Sequence, residues 1–562
     1  MMVLRSSRWF ARDDEVGLEH RAAMRAAGRP VSRHEDRPVI GILNSTSDLN
    51  PCNLPLRGLA TAVRSAVETA GGIAVELPTI SLGEDLMKPT AMLYRNLMAM
   101  EVEETIRAHP LDGVVLLGNC DKTIPAQLMG AASANLPALQ LSGGYRRTGR
   151  FHGAEVGAGT DLWKYWEERR NGRIDDRDWQ GLEAALGCSQ GACNVMGTAL
   201  TMSMMAEVLG MMVPGASTLP FDDPRLEAKA GETGSLIVEM VRRGAAPDQV
   251  LTPDSFRNAL MALAAVGGST NAVIHLCALA GRRMIPLGLE EFDKAAAATP
   301  VLADVAPIGR HTIAAFDRAG GIQAVLANLR RHRSGLPGDG AKGDRAIRAV
   351  DDPVTDSPAL VVLRGNLAPD GAVLKTAAAS RRLVRHTGPA VVFHGHADMM
   401  RRIDDPGLGA TADSVLVLTG CGPRGGDGFP EWGMIPIPRR LAAEGVTDMV
   451  RVSDARMSGT SFGTCVLHVA PEAAAGGPLA AVRDGDIVTL DVSRRLLEVD
   501  LPPEVVAERI AAREPQPIRH HRGWPALYQE HVLQAPKGAD FDFLVPRTAE
   551  ALPFVDPVVG RS

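Results

Sequence analysis

Three of the seven cysteines stand where chain geometry favours a thiolate. Cys52 follows the apolar run Val39–Leu43 by a polar loop, just ahead of a helical segment whose first turn holds Pro55. Cys120 directly follows the strand-like run Gly113–Gly118 and precedes a helix opening at Ile124 and Pro125. Cys193 is read as opening the helix Asn194–Leu209 after the glycine-containing segment Gly187–Gly191. At such junctions the positive end of the helix dipole stabilises the thiolate, the form that ligates metal. The competing reading is three inert, buried thiols, the common fate of free cysteine. Cys188, in the same loop as Cys193, could take its place. Cys277, Cys421 and Cys465 lie in an apolar helical run, a Gly-rich loop and a β-like run, and read as packing or loop residues.

Acidic residues accompany the cysteines. Asp121 and Lys122 follow Cys120 in Gly-Asn-Cys-Asp-Lys-Thr-Ile-Pro, and Glu84 follows the apolar run Ile73–Leu77 by a loop. Carboxylates converging without an obvious partner suit a hard cation such as magnesium. A lysine ammonium cannot ligate a cation, so Lys122 either pairs with a substrate carboxylate or is converted to a carbamate. The plainer alternative is an N-cap aspartate beside a surface lysine.

The elements that must position these residues read as α/β. Val39–Leu43, Ile73–Leu77 and Val114–Leu117 are short apolar runs of strand length. Between and after them, Pro55–Ala70, Leu97–Ala108, Ile124–Ala134 and Val195–Leu209 carry helical patterns. This alternation predicts a parallel sheet covered on both faces, whose carboxyl edge gathers ligand-binding loops. Arg330–Pro358, rich in Gly and basic at its start, reads as a linker. Beyond it, β-like runs crowd together at Leu360–Leu363, Ala390–Phe393, Ser414–Leu418, Asp448–Val452, Ile487–Val492 and Leu496–Val499. The expected organisation is an α/β domain over residues 1–350 and a smaller, β-rich, barrel-like domain over 351–562.

The bulk numbers are ordinary for a large globular protein. At 562 residues the chain exceeds one hydrophobic core, which requires more than one domain. A formal net charge of −6 with no long basic run argues against nucleic acid as a partner. No apolar stretch has signal-peptide or membrane-span character, so a cytoplasmic protein with reduced thiols is expected.

Gly118–Ala126 and Val452–Thr460 (Val-Ser-Asp-Ala-Arg-Met-Ser-Gly-Thr) resemble the two signature segments of the dihydroxy-acid and phosphogluconate dehydratases. Supporting blocks are Met87–Met100, Gly191–Met202, Gly267–Leu276, Phe429–Pro436 and Pro471–Gly485. Leu86–Met100, Asn194–Ala199 and Pro430–Met434 are most similar to the sugar-acid branch, which includes arabinonate and xylonate dehydratases. The resemblance implies a 2Fe-2S cluster on Cys52, Cys120 and Cys193. It also implies magnesium on Glu84, Asp121, Glu431 and Lys122 as a carbamate, and Ser458 as the base. It implies assembly as a homodimer or homotetramer and removal of water from a sugar acid to leave a 2-keto-3-deoxy acid. Three cysteines leave one iron short of a full thiolate set and open as a Lewis acid. Ser458 would act as a base only if cations stabilise its alkoxide; otherwise it is a hydrogen-bonding serine in a turn.

Two segments depart from the family pattern: His394 and His396 in Phe-His-Gly-His-Ala-Asp, and the basic stretch Arg146, Arg147 and Arg150. Each is either surface variation or a substrate-specific change. Rival functions are a branched-chain dihydroxy-acid or phosphogluconate dehydratase within the family, and an iron–sulfur sensor or a metal-free binding module outside it.

Overall fold

The computed structural model describes residues 3–333, 346–513, 519–548 and 554–559. Four parallel strands form the first sheet in the order Ile73–Pro78, Val39–Asn44, Gly113–Leu117, Ala138–Leu141. Val39–Asn44 is central and wholly buried. Its side chains alternate between two cores, as the two-residue period of a strand requires. Val39 and Leu43 join Val114 and Leu116 beneath the helices Arg95–Ala108 and Thr123–Ala134. Ile40 and Ile42 join Val115 and Leu117 beneath Leu56–Thr69 and Pro224–Arg243. Burial on both faces is why these strands read as continuous apolar runs rather than as an alternation.

The second unit is a closed eight-stranded barrel. Its strands run around the wall in the order Val415–Thr419, Arg451–Ser453, Cys465–Ala470, Ala368–Leu374, Val361–Gly365, Leu496–Val499, Ile487–Asp491 and Arg385–His394. Leu363, Leu374, Val392, Val417, Val452, Val466, Val488 and Leu497 pack together as its core. The strand Ala368–Leu374 has no counterpart among the β-like runs of the sequence, because Pro369 and Gly371 punctuate its apolar pattern. The linker expected at Arg330–Pro358 falls partly outside the described residues; its first residues instead continue the helix Gly321–Arg333.

After the barrel the chain returns to the first unit. Trp524 Nε1 donates to Leu93 O (2.8 Å), and Arg95 donates to Gly538 O and Ala539 O (2.8 Å each). Arg282 pairs with Asp540, Nε to Oδ2 at 2.6 Å, both side chains fully buried. Among the described residues no helix is long and apolar enough to cross a membrane.

Candidate active site

Three loops, each leading into a helix, are stitched together at the carboxyl edge of the sheet. Asn53 Oδ1 accepts from the backbone amides of Asn119 and Cys120, both at 3.1 Å. Asn119 Nδ2 donates to Cys52 O and Gly144 O, both at 2.7 Å. The amide of Gly191 donates to Pro51 O (3.0 Å), and that of Ala192 to Gly144 O (3.0 Å). Gly191 holds φ +109, and a Cβ there would lie 2.7 Å from Arg146 N, so the crossing requires glycine. These bonds bring Cys52, Cys120 and Cys193 to one cavity of about 680 Å³ between the α/β unit and the barrel.

Cys193 does not open a helix. Its helix is Thr198–Val208, and Cys193 sits in the loop ahead of it, because Gly197 and the turn at 194–196 delay helical geometry. Cys188 is exposed and donates its thiol to Arg147 O (3.5 Å), away from the cavity. The remaining cysteines, Cys277, Cys421 and Cys465, are buried elsewhere. Nor do helix dipoles leave Cys120 and Cys193 acidic here. The neighbouring Cys52 thiol, with burial, pushes the Cys120 thiol well up. Burial pushes the Cys193 thiol up to about 12, with Arg146 pulling the other way. Metal binding at such thiols releases protons.

Beside the cysteines, three carboxylates surround the fully buried Lys122 ammonium. Glu84 Oε2 is 3.0 Å from Nζ, Glu431 Oε1 is 2.9 Å away, and Asp121 makes a short contact. Burial opposes the charged amine, yet Asp121, Glu431 and Glu84 together raise its pKa. Lys122 is thus neither a surface lysine nor free: it pairs with protein carboxylates. Among the described residues no three His, Cys, Asp or Glu side chains are grouped as a ready-made ion cage; the acidic side chains close on the ammonium instead.

Residues that sequence reasoning did not single out fix these carboxylates. Thr90 Oγ1 donates to Glu84 Oε1 (2.7 Å) and Ala91 N to Glu84 Oε2 (3.1 Å). Glu431 Oε1 accepts from Arg456 Nη1 (2.8 Å) and Asn271 Nδ2 (2.7 Å). Burial would raise the Glu431 pKa, but Lys122 and Arg456 outweigh it and hold the carboxyl down at about 2. Burial lifts Asp121 to about 6 against the pull of Lys122. Thr90, Asn271 and Arg456 all lie within the motif blocks quoted above, and that was the available signal. Glu84, Asp121 and Glu431 against Lys122 and Arg456 leave one net negative charge, a setting that favours a further cation.

Ser458 lines the same cavity. Its hydroxyl lies 2.9 Å from Thr460 Oγ1 and accepts from Thr460 N at 3.3 Å. Of the basic stretch, only Arg146 turns inward; Arg147 pairs with Asp222, and Arg150 donates to Gly153 O (2.6 Å) in a hairpin. His396 stacks on Trp432, a cavity wall residue, with ring centres 4.5 Å apart. His394 lies on the exposed side of that segment.

Profiles of the dihydroxy-acid/6-phosphogluconate dehydratase family match the N-terminal part over residues 37–341 and the C-terminal part over 345–539. The chain belongs to this family of hydro-lyases. The two matched parts correspond to the α/β unit and the barrel, and the cavity lies at their seam. A 6-deoxy-6-sulfo-D-gluconate dehydratase of Pseudomonas putida is 47% identical, with 98% of this chain and 97% of that protein covered. An L-arabinonate dehydratase of Rhizobium leguminosarum is 43% identical, with 96% of both chains covered. A dihydroxy-acid dehydratase of Methanothermobacter thermautotrophicus is 36% identical over 92% of this chain and 97% of that protein.

Proposed function

We propose that this family member dehydrates a five- or six-carbon sugar acid to a 2-keto-3-deoxy acid. The observation that carries the proposal is the single cavity where three cysteine loops and three carboxylates meet. Relatives named for sugar acids, at 43% and 47% identity against 36% for a dihydroxy-acid dehydratase, support the substrate class. A cavity of about 680 Å³ suits a small ligand. Its wall includes the hydroxyl-bearing residues Ser458, Thr460 and Ser461, which suits a polyol substrate over apolar analogues.

The chemistry of the donors supports the implied groups: three free thiols lining one cavity for an iron–sulfur cluster, and a net-negative set of carboxylates for magnesium. Cys52, Cys120 and Cys193 would hold the cluster; Glu84, Asp121 and Glu431 would hold magnesium, with Lys122 as a carbamate adding an oxygen donor. When bound, the two supply Lewis acidity for the leaving C3 hydroxyl and positive charge for the substrate carboxylate. The chain's own residues do the rest. Arg456 and Asn271 lock Glu431 in one orientation, and Thr90 locks Glu84, so the oxygen set is organised before substrate arrives. Ser458, as its alkoxide, takes the C2 proton and passes it to the departing C3 hydroxide, which leaves as water and regenerates the alkoxide, and the enol left behind tautomerises to the ketone. Thr460, hydrogen-bonded to Ser458, fixes the direction of that hydroxyl.

The test is a substrate panel on anaerobically purified protein: arabinonate, xylonate, gluconate, 6-sulfogluconate, phosphogluconate and dihydroxyisovalerate. Highest kcat/KM is expected on an unphosphorylated sugar acid. Preference for phosphogluconate or dihydroxyisovalerate would overturn the sugar-acid assignment, and a protein free of iron with no dehydratase activity would overturn the chemistry.

A further inference from the structure

Arg146 is held in the cavity as firmly as the cysteines are. Its backbone amide donates to Ala192 O (2.8 Å), the residue before Cys193. Its Nε donates to Gly191 O and its Nη1 to Leu186 O, both at 3.3 Å. Nη2 lies 3.9 Å from Asp85, and the side chain is 12% exposed. Its side chain lines the cavity together with Cys52, Cys120 and Cys193. With Nε and Nη1 engaged by carbonyls, the guanidinium is fixed in the cysteine-lined wall rather than left open to grip a substrate anion. Arg147 and Arg150, its neighbours in the basic stretch, are exposed and point elsewhere.

We propose that Arg146 is a positioning residue for the iron–sulfur site, whose fixed positive charge in the wall that holds the three cysteines sets the reduction potential of the cluster. This rests on the proposed function, since it concerns the cluster that Cys52, Cys120 and Cys193 would hold. Net charge and hydrogen bonds to the ligating sulfurs are principal determinants of such potentials. A cation beside the sulfurs stabilises the extra electron of the reduced cluster, so its removal makes reduction harder. Lysine keeps the charge but loses the planar fork that reaches two carbonyls at once.

The experiment compares anaerobically reconstituted wild type, Arg146→Lys, Arg146→Met and Arg147→Met at matched iron and sulfide content. Midpoint potentials are read by spectroelectrochemical titration of the charge-transfer absorption. The Met variant is expected to shift most to negative potential, the Lys variant less, and Arg147→Met to stay at the wild-type value. Should Arg146→Met fail to fold by circular dichroism, the Lys variant against wild type carries the comparison. Coincident potentials in loaded wild type and Arg146 variants, or an equal shift in Arg147→Met, would overturn the role of Arg146 while leaving the cluster in place. Wild type that binds no iron would overturn this inference and the proposed cofactor together.

Discussion

Replacing Asp540 with Asn should loosen the clasp that ties the C-terminal segment to the α/β unit. Asp540 meets Arg282 through two bonds, Oδ2 to Nε at 2.6 Å and Oδ1 to Nη2 at 3.0 Å, with no solvent access to either side chain. Removing one partner of a buried ion pair costs about 3–5 kcal/mol, because the remaining charge is left uncompensated. Arg282 Nη1 retains Ser133 Oγ at 3.0 Å and Glu103 Oε2 at 3.4 Å, which places the loss at the lower end, about 3 kcal/mol. At about 2 °C per kcal/mol for a large domain, the unfolding midpoint should fall by about 6 °C. Calorimetry at a fixed scan rate reads this directly. The double variant Arg282→Met with Asp540→Leu should recover most of the loss, since an apolar pair of similar volume is close to neutral in place of a buried ion pair. Activity at 25 °C should stay within about two-fold of wild type, because the helix Asn271–Arg282 spans roughly 17 Å between the clasp and Glu431's partner Asn271. An Asp540→Asn midpoint within about 1 °C of wild type would refute the reasoning.

Three further outcomes are expected. Serine at Cys52, Cys120 or Cys193 should abolish iron–sulfur absorption and activity, whereas Cys188→Ser should keep both; loss of the cluster in Cys188→Ser would show that the wrong member of that pair has been assigned. Ser458→Ala should retain iron and magnesium while kcat falls by roughly two to four orders of magnitude; a few-fold fall would make Ser458 an orienting residue. Burial, with Asp454, lifts the Glu472 carboxyl from 4.5 to about 7 despite the amides of Arg424 and Gly425. A folded pKa above the unfolded value means stability present below pH 4.5 and lost as pH rises through 7, a difference of about 3 kcal/mol. Glu472→Gln should therefore flatten the fall in unfolding midpoint between pH 5 and pH 8, and parallel slopes for the two proteins would contradict the assigned cause.

Three of the four strands of the sheet are legible in the sequence, most plainly Val39–Leu43 and Val114–Leu117, where burial on both faces leaves an unbroken apolar signature; the short edge strand Ala138–Leu141 is not. The sequence by itself also determined the loops that carry Cys52 and Cys120, since each lies between such a run and a helical one, and it marked the family through its two long signature segments. Tertiary structure decided the rest, for reasons that neighbouring residues do not encode. Cys188 and Cys193 share one loop, and only the bend at Gly191, bonded across to Pro51, turns Cys193 inward and leaves Cys188 in solvent. Arg146 and Arg147 are adjacent and identical in type, yet the crossing of two loops buries one and exposes the other. Ala368–Leu374 became a strand because closure of the barrel supplied partners on both sides, overriding Pro369 and Gly371. Asn271 meets Glu431, and Arg456 meets Thr90, only once the barrel docks on the α/β unit. Local sequence sets propensity and period; the meeting of groups hundreds of residues apart is set by packing of the two units against each other.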